Sequence, residues 1–251
     1  MKKNGGVFEF AAIGHVRTPF KDKFGVPRQP GLAAEAKGVI KLHSNPDLKT
    51  ALRSLEEFTH LWIVFVFHEH GGKSWKPSIR PPRLGGNRKV GVLASRSPHR
   101  PNPIGISAVT IEKIDLEAEG GPEIYVGSVD LVDGTPVLDI KPYIPYADSF
   151  PEAGAGWASE PIPRTKVEFS DVALAEIKKR DPGGEARLQQ MIVSVLELDP
   201  RPAYKKRQFP VSDSKSWGQR YGFEVLGHDV KYEIQENQFL VFAIQDMPVE
   251  S

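Results

Sequence analysis

Short runs of alternating or continuous apolar residues recur through the first 150 residues, and Gly, Pro, Asn or Asp bound most of them. Runs of this length that are rich in β-branched and aromatic side chains predict strands. Strands at this spacing favour a barrel or a sandwich, so the predicted fold class is mainly β. We expect seven strands, at Phe8–Gly14, Gly38–Leu42, Leu61–Phe67, Val90–Ala94, Ile106–Ile114, Ile124–Val129 and Val137–Ile140.

Helical patterns are few before residue 170. Asn45 and Pro46 supply a start signal, and Leu48, Leu52 and Leu55 follow at helical spacing. This pattern predicts one helix packed across an end of the sheet.

The chain changes character near residue 150. Pro, Gly, Ala and Ser dominate from Asp148 to Pro163, which predicts a linker or extended arm. Two helical patterns follow, one capped by Ser170 and one that carries Met191. Three strand-like runs come next, at Gly222–Leu226, Val230–Gln235 and Phe239–Ile244. We therefore expect a mainly β domain over residues 1–150, a linker over 151–166 and a small α+β C-terminal extension over 167–251.

The composition excludes several classes of site. The 251 residues include no cysteine, which rules out disulfides, thiol nucleophiles, zinc ribbons and iron–sulfur clusters. The net charge of +1 gives no global attraction to nucleic acid or membrane. The longest apolar run, Leu61–Phe67, is far shorter than the ~20 residues that span a bilayer, and residues 1–6 lead into no signal-type stretch. We expect a soluble protein of the cytoplasm.

The strongest local charge anomaly lies between His70 and Ile111, where eight residues are basic and none is acidic. Six prolines stiffen the same segment. A rigid basic loop suits a phosphate backbone or another anion, and a solvated face with carboxylate partners elsewhere is the alternative. The basic side chains are Lys73, Lys76, Arg80, Arg83, Arg88, Lys89, Arg96 and Arg100.

A second basic cluster follows Asp199 and places Tyr204 among four cations, which are Arg201, Lys205, Lys206 and Arg207. An aromatic ring flanked by cations can stack a base while the cations hold phosphates. A plain solvated loop is the competing interpretation.

His68 and His70 flank Glu69 at a predicted strand end, where period-two alternation places both imidazoles on one face. Such a pair can ligate a metal. Because no cysteine and no further carboxylate–histidine motif lies nearby, we predict polar residues that line a pocket and no metal site.

Asp133 and Gly134 form a strong turn signal between two apolar runs, which predicts a hairpin. Asp139 and Lys141 share one face of its second strand, where they form either an ion pair or part of a site. Phe24–Leu32 is a further stiff, proline-containing loop. The Rossmann, P-loop, nucleophile-elbow and zincin patterns are absent from the sequence.

Five of these segments stand in a characteristic order, namely Pro27–Gly31, Leu61–His68, Arg80–Asn87, Arg100–Gly105 and Asp130–Tyr143. Together they resemble the TsaA-like family of tRNA methyltransferases, known as TrmO or YaeB in bacteria. Asp199–Tyr204 is similar to a motif in the C-terminal extension of the bacterial proteins. The resemblance implies a TsaA-like β-barrel that uses S-adenosylmethionine, which agrees with the missing Rossmann pattern.

The resemblance also implies which residues bind the cofactor and how the protein assembles. It implies a homodimer with the cofactor near the subunit interface. Turn backbone and a few charged side chains suit the amino acid, ribose and adenine groups of the cofactor. The implied contacts are Pro27, Arg28, Gln29, His68, Glu69, Arg96, Ile106, Asp133, Gly134, Thr135 and Pro136.

The substrate implied by the resemblance is N6 of threonylcarbamoyladenosine, the modified purine next to the tRNA anticodon. This nitrogen lies between an adenine and a carbonyl, which makes its proton acidic, so a base or hydrogen-bond acceptor helps the transfer. Asp139 and Tyr143, beside the predicted cofactor turn, are the candidate catalytic residues.

The anticodon stem-loop gives both basic clusters a ligand, because its unstacked bases are open to recognition. The predicted tRNA-binding residues are Arg80, Arg83, Arg88, Arg100, Arg201, Tyr204, Lys205, Lys206 and Arg207. A small-molecule methyltransferase and a non-catalytic RNA-binding β-barrel are the alternatives, and cofactor binding together with tRNA dependence separates the three.

Overall fold

A closed six-stranded barrel is followed by a C-terminal α+β region. The computed structural model describes residues 6–21, 25–33, 35–70, 74–184 and 186–247. Phe24 and Lys73, which belong to the predicted stiff loop and basic segment, lie outside the described residues.

The described residues up to Pro142 form eight strands, six of which close the barrel. They are β1 (Gly14–Arg17), β2 (Gly38–Leu42), β3 (His60–Val66), β4 (Ser78–Ile79), β5 (Val90–Gly91), β6 (Ile104–Asp115), β7 (Glu123–Gly127) and β8 (Thr135–Pro142). The barrel order is β1-β2-β7-β6-β3-β8, with every neighbouring pair antiparallel, and β4 pairs with β5 outside it. The predicted mainly β fold is confirmed.

Strand β3 follows from its alternating sequence. Leu61, Ile63 and Phe65 are buried inside the barrel, and the residues between them are partly exposed. Phe65 pairs with Gly105 on β6, and a Cβ atom at Gly105 would lie 2.3 Å from a carbon of the Phe65 ring. Glycine is therefore required where the aromatic ring covers the backbone of β6.

Within the described residues there are also five α-helices, of which α1 lies between β2 and β3, and four further strands after the barrel. The helices are α1 (Pro46–Ala51), α2 (Pro145–Asp148), α3 (Asp171–Arg180), α4 (Leu188–Leu196) and α5 (Ala203–Gln208). The strands β9 (Lys166–Phe169), β10 (Arg220–Val225), β11 (His228–Gln235) and β12 (Gln238–Asp246) form one sheet in the order β10-β11-β12-β9. Buried apolar side chains form one continuous cluster from the barrel into this region.

Two predicted strands differ from the structure. The strand expected at Phe8–Gly14 begins only at Gly14, because Phe8 and Phe10 are exposed and pair with no strand in the described part of the chain. The strand expected at Val90–Ala94 stops at Gly91 and continues as a short 3₁₀ helix, where the Val92 amide donates to the carbonyl of Pro77. The predicted helix also ends early, at Ala51.

The predicted hairpin around Asp133 and Gly134 is wrong. Strands β7 and β8 do not pair with each other, since β8 lies between β1 and β3. The amides of Asp133 and Gly134 donate instead to the carbonyls of Phe20 and Val16, both at 2.8 Å. The turn is thus bound to the chain that follows β1, and residues 128–134 cross an end of the barrel.

Within the described residues, no helix has the length and apolarity needed to cross a membrane.

Candidate active-site cleft

A cleft of about 1850 Å³ lies between the barrel and the C-terminal region. Pockets that hold one small molecule usually measure about 300 to 1000 Å³, so this cleft is larger than a single small ligand needs. The residues that line it come from the loop that contains Arg28, the end of β3, the basic segment, the start of β6, the segment before β8, the linker and α4 to α5.

The linker forms one wall of this cleft. The indole Nε1 of Trp157 donates to the carbonyl of Ala94 at 2.9 Å, and the guanidinium of Arg83 donates to the carbonyl of Glu160. Both bonds fasten the linker to the basic segment, a role that its composition did not indicate.

Contacts between the barrel and the C-terminal region hold the cleft together. Nη1 of Arg207 donates to the carbonyl of Gly85 at 2.7 Å, and Arg187 forms an ion pair with Glu35 at 2.5 Å. The predicted basic cluster after Asp199 is therefore not a solvated loop, because residues 203–208 form α5 and Arg207 reaches the barrel.

Most of the predicted cofactor contacts meet in the cleft, although they come from separate segments. Nη1 of Arg96 donates to the side-chain oxygen of Gln29 at 2.7 Å and so joins the basic segment to the loop that holds Arg28. The predicted contacts that line the cleft are Pro27, Arg28, Gln29, His68, Glu69, Arg96, Ile106 and Thr135.

Asp133, Gly134 and Pro136 do not line the cleft. The carboxylate of Asp133 accepts from the amide of Thr18 at 2.8 Å and from Nζ of Lys21 at 2.6 Å. These bonds fix the turn, which places Thr135 at the edge of the cleft.

Asp130 is a cleft residue that the sequence reasoning did not single out. Its carboxylate accepts a hydrogen bond from the hydroxyl of Ser107, which is 1% exposed. Burial raises the pKa of Asp130 to about 6, and the Ser107 bond and the charge of Arg96 only partly oppose this shift. The sequence placed Asp130 within the segment Asp130–Tyr143, but it did not distinguish this carboxyl group from those of Asp133 and Asp139 in the same segment.

The two candidate catalytic residues lie elsewhere. Asp139 forms an ion pair with Lys141 at 2.8 Å, and the ring of Tyr143 packs against Trp62 with 5.6 Å between centroids. Neither residue lines the cleft.

His68 and His70 do not share a strand face, because β3 ends at Val66 and residues 68–70 form a 3₁₀ helix. His70 is buried, and its Nε2 lies 2.9 Å from Nδ1 of His99. In the described ranges, no three His, Cys, Asp or Glu side chains come together to hold a metal ion.

The predicted tRNA-binding residues divide into three groups by position. Arg80, Arg83, Arg100 and Lys206 line the cleft. Arg88, Tyr204, Lys205 and Arg207 lie outside its lining, and all except Lys205 are exposed.

Arg201 is the exception, because it lies in the interior at 3% exposure. Its guanidinium donates to both carboxylate oxygens of Asp199 at 2.8 Å and to the carbonyl of Phe209 at 2.9 Å. A side chain with these bonds is not available to a phosphate, so the prediction of a tRNA contact at Arg201 is corrected to a structural role.

Lys206 is half-buried beside the same aspartate. Its Nζ donates to the carbonyl of Asp199 and lies 3.6 Å from the carboxylate of that residue. Burial lowers the pKa of Lys206 to about 8, against the opposing effect of Asp199 and with the added repulsion of Arg28. Desolvation by the surrounding cleft likewise lowers the pKa of Arg28, although its side chain is solvent-exposed, and the charge of Asp199 opposes this shift.

Comparisons with known proteins agree with this architecture. The profile of the tRNA-methyltransferase O N-terminal domain matches residues 15–149, and that of the TrmO C-terminal domain matches residues 162–247. A tRNA (adenine(37)-N6)-methyltransferase from Escherichia coli (strain K12) is 43% identical over 242 residues, which cover 95% of this chain and 98% of that protein.

Relatives from Pseudomonas aeruginosa match at similar length. A putative S-adenosylmethionine-dependent methyltransferase RcsF is 41% identical and covers 88% of this chain and 90% of its own. The crystal structure of TrmO from this organism has a TM-score of 0.74 at 33% identity and covers 95% of this chain and 98% of its own. The chain therefore belongs to the TrmO family.

Proposed function

We propose that this protein transfers a methyl group from S-adenosylmethionine to N6 of the adenine at position 37 of tRNA. The observation that carries the proposal is the convergence of the family's sequence segments on one large cleft with a basic rim. The relative from Escherichia coli is named for this activity.

The groups in the cleft fit the cofactor. S-adenosylmethionine has a carboxylate, an ammonium, a ribose and an adenine, and it supplies a sulfonium methyl group to a nucleophile. The guanidinium groups of Arg28 and Arg96 suit its carboxylate, and the backbone around Ile106 suits its adenine edge. The remaining polar groups of Gln29, His68 and Thr135 hold its orientation.

For the substrate, we propose threonylcarbamoyladenosine within the anticodon stem-loop. Its carbamoyl group and threonyl carboxylate add bulk and negative charge, and the cleft offers both volume and cations. The cleft is lined by four cations that can hold phosphates or this carboxylate, which are Arg80, Arg83, Arg100 and Lys206. A homodimer that acts in the cytoplasm belongs to the same proposal.

The test is to incubate the purified protein with S-adenosylmethionine and with tRNA that carries or lacks threonylcarbamoyladenosine, then to weigh the digested nucleosides by mass spectrometry. The proposal expects a gain of one methyl group in the modified nucleoside alone. Methylation of unmodified adenine would correct the substrate, and cofactor binding with no change in any nucleoside would refute tRNA as the acceptor.

A further inference from the structure

The cleft contains three acidic residues, and among the described residues only Asp130 forms no ion pair. Glu69 lies at the surface beside His68, and Asp199 is engaged by Arg201 and Lys206. Asp130 takes part in no ion pair among the described residues.

Asp130 also has a fixed position in the cleft. It accepts a hydrogen bond from Ser107, the neighbour on β6 of the predicted cofactor contact Ile106. On its other side the chain leads to Thr135, which also lines the cleft. The Asp130 carboxyl therefore lies between two segments that we assign to the cofactor.

We propose that Asp130 is the general base that removes the proton from N6 of the substrate adenine. This inference rests on the proposed function. The proton passes from N6 to a carboxylate oxygen of Asp130. The electron pair left on N6 forms the bond to the methyl carbon, and the bond between that carbon and sulfur breaks with its electron pair kept by sulfur, so the donor leaves as a neutral thioether. The proton then leaves Asp130 for water.

The surroundings of Asp130 suit this role. Burial raises the pKa of the Asp130 carboxyl group to about 6. The group therefore exchanges its proton close to neutral pH, where a general base is most effective. The hydroxyl of Ser107 holds the carboxyl in one orientation and favours its charged form.

The first test is the pH dependence of kcat/KM for methyl transfer to modified tRNA. The wild-type rate should fall below pH about 6, and Asp130→Asn should lower it by about 10²- to 10⁴-fold and remove this acid limb. Ser107→Ala removes a bond that favours the carboxylate, so its acid limb should shift to higher pH. If Asp130 and Ser107 only stabilised the fold, these substitutions would not shift the acid limb of the pH profile.

The second test is the affinity for S-adenosylmethionine, measured by calorimetry without tRNA. A base for the substrate proton leaves this affinity within about threefold in Asp130→Asn. If the affinity instead falls at least tenfold, ~1.4 kcal/mol, while the acid limb persists, Asp130 binds the positive charge of the cofactor and the proposal is overturned.

Asp115→Asn is the matched control, because Asp115 lies at the far end of β6 and its carboxylate pairs with Lys113 at the surface. Asp139→Asn tests the rival candidate, and loss of the acid limb there rather than at Asp130 would also overturn the proposal. A wild-type protein that methylates tRNA while Asp130→Asn keeps the full rate refutes this inference alone. A wild-type protein that transfers no methyl group refutes the proposed function, and this inference with it.

Discussion

The two walls of the cleft each carry an aspartate, and the two carboxyl groups have opposite surroundings. On the C-terminal wall, Asp199 accepts two bonds from Arg201 and lies beside Lys206. On the barrel wall, Asp130 has one hydroxyl partner, Ser107, and no ion pair among the described residues.

The two aspartates therefore differ in role, since Asp199 stabilises the structure and Asp130 is suited to exchange a proton. The carboxylate of Asp199 pairs with cations on neighbouring segments and so holds these segments together. It cannot take up a proton without leaving the buried cations unpaired. The half-buried carboxyl of Asp130, whose side-chain hydrogen-bond partner is the neutral hydroxyl of Ser107, has a raised pKa because desolvation outweighs that bond and the charge of Arg96, and it costs stability when it ionises. The C-terminal wall thus holds the cleft together, and the proposed base lies on the barrel wall.

The largest expected effect comes from breaking the C-terminal wall. Asp199→Ala leaves Arg201 buried and unpaired, and we expect the free energy of unfolding to fall by about 3 to 5 kcal/mol in urea titrations. Asp229→Ala is the control, because the pair of Asp229 with Lys231 is partly exposed and contributes about 1 kcal/mol or less. A loss below about 1 kcal/mol in Asp199→Ala would remove the contrast.

On the barrel wall, replacing the aspartate should raise the free energy of unfolding rather than lower it. Burial raises the pKa of Asp130 in the folded protein from its ordinary value of 3.8 to about 6, so its contribution to stability is complete at low pH and is lost as pH rises through 6. Asp130→Asn keeps the acceptor for Ser107 and should raise the free energy of unfolding at pH 7.5 by about 1 to 3 kcal/mol. Urea titrations at pH 3.5 should give little difference, and a variant less stable than wild type at pH 7.5 would contradict this account.

A cation that lines the cleft on the barrel side and a cation on the adjoining helix α5 should contribute alike to tRNA binding. Arg80→Gln on the barrel side and Lys205→Gln on α5 should each lower the slope of log affinity against log salt by about 0.7 to 0.9, and the double variant by nearly twice that. Filter binding at several salt concentrations measures this. Lys178→Gln is the control, because Lys178 lies on α3 and belongs to neither basic cluster. Equal slopes in all four proteins would exclude phosphate contacts at both positions.

The smallest effect is expected outside the cleft. The side chains of Asp139 and Lys141 are 49% and 65% exposed, so Asp139→Asn should change the free energy of unfolding by less than about 1 kcal/mol. A larger loss of the free energy of unfolding, measured by urea titration, would mean that this ion pair contributes more to stability than an exposed pair normally does.

Sequence reasoning predicted the barrel because alternation in strands such as β3 reflects burial directly. It predicted a hairpin wrongly because the turn at Asp133 is fixed by Thr18 and Lys21, more than 100 residues away along the chain. It placed Arg201 on tRNA because a sequence shows charge but does not show that Asp199 encloses the guanidinium. Asp130 was missed for the same reason, since its altered pKa arises from burial alone.

The central claim is that the barrel wall holds a carboxyl group ready to accept a proton. A ¹³C NMR titration of aspartate carboxyl groups in the free protein tests it directly, with Asp130→Asn used to assign the signal. The account predicts one resonance that titrates near pH 6 and is missing from the variant spectrum. A resonance of Asp130 that remains ionised down to pH 4 would contradict the account.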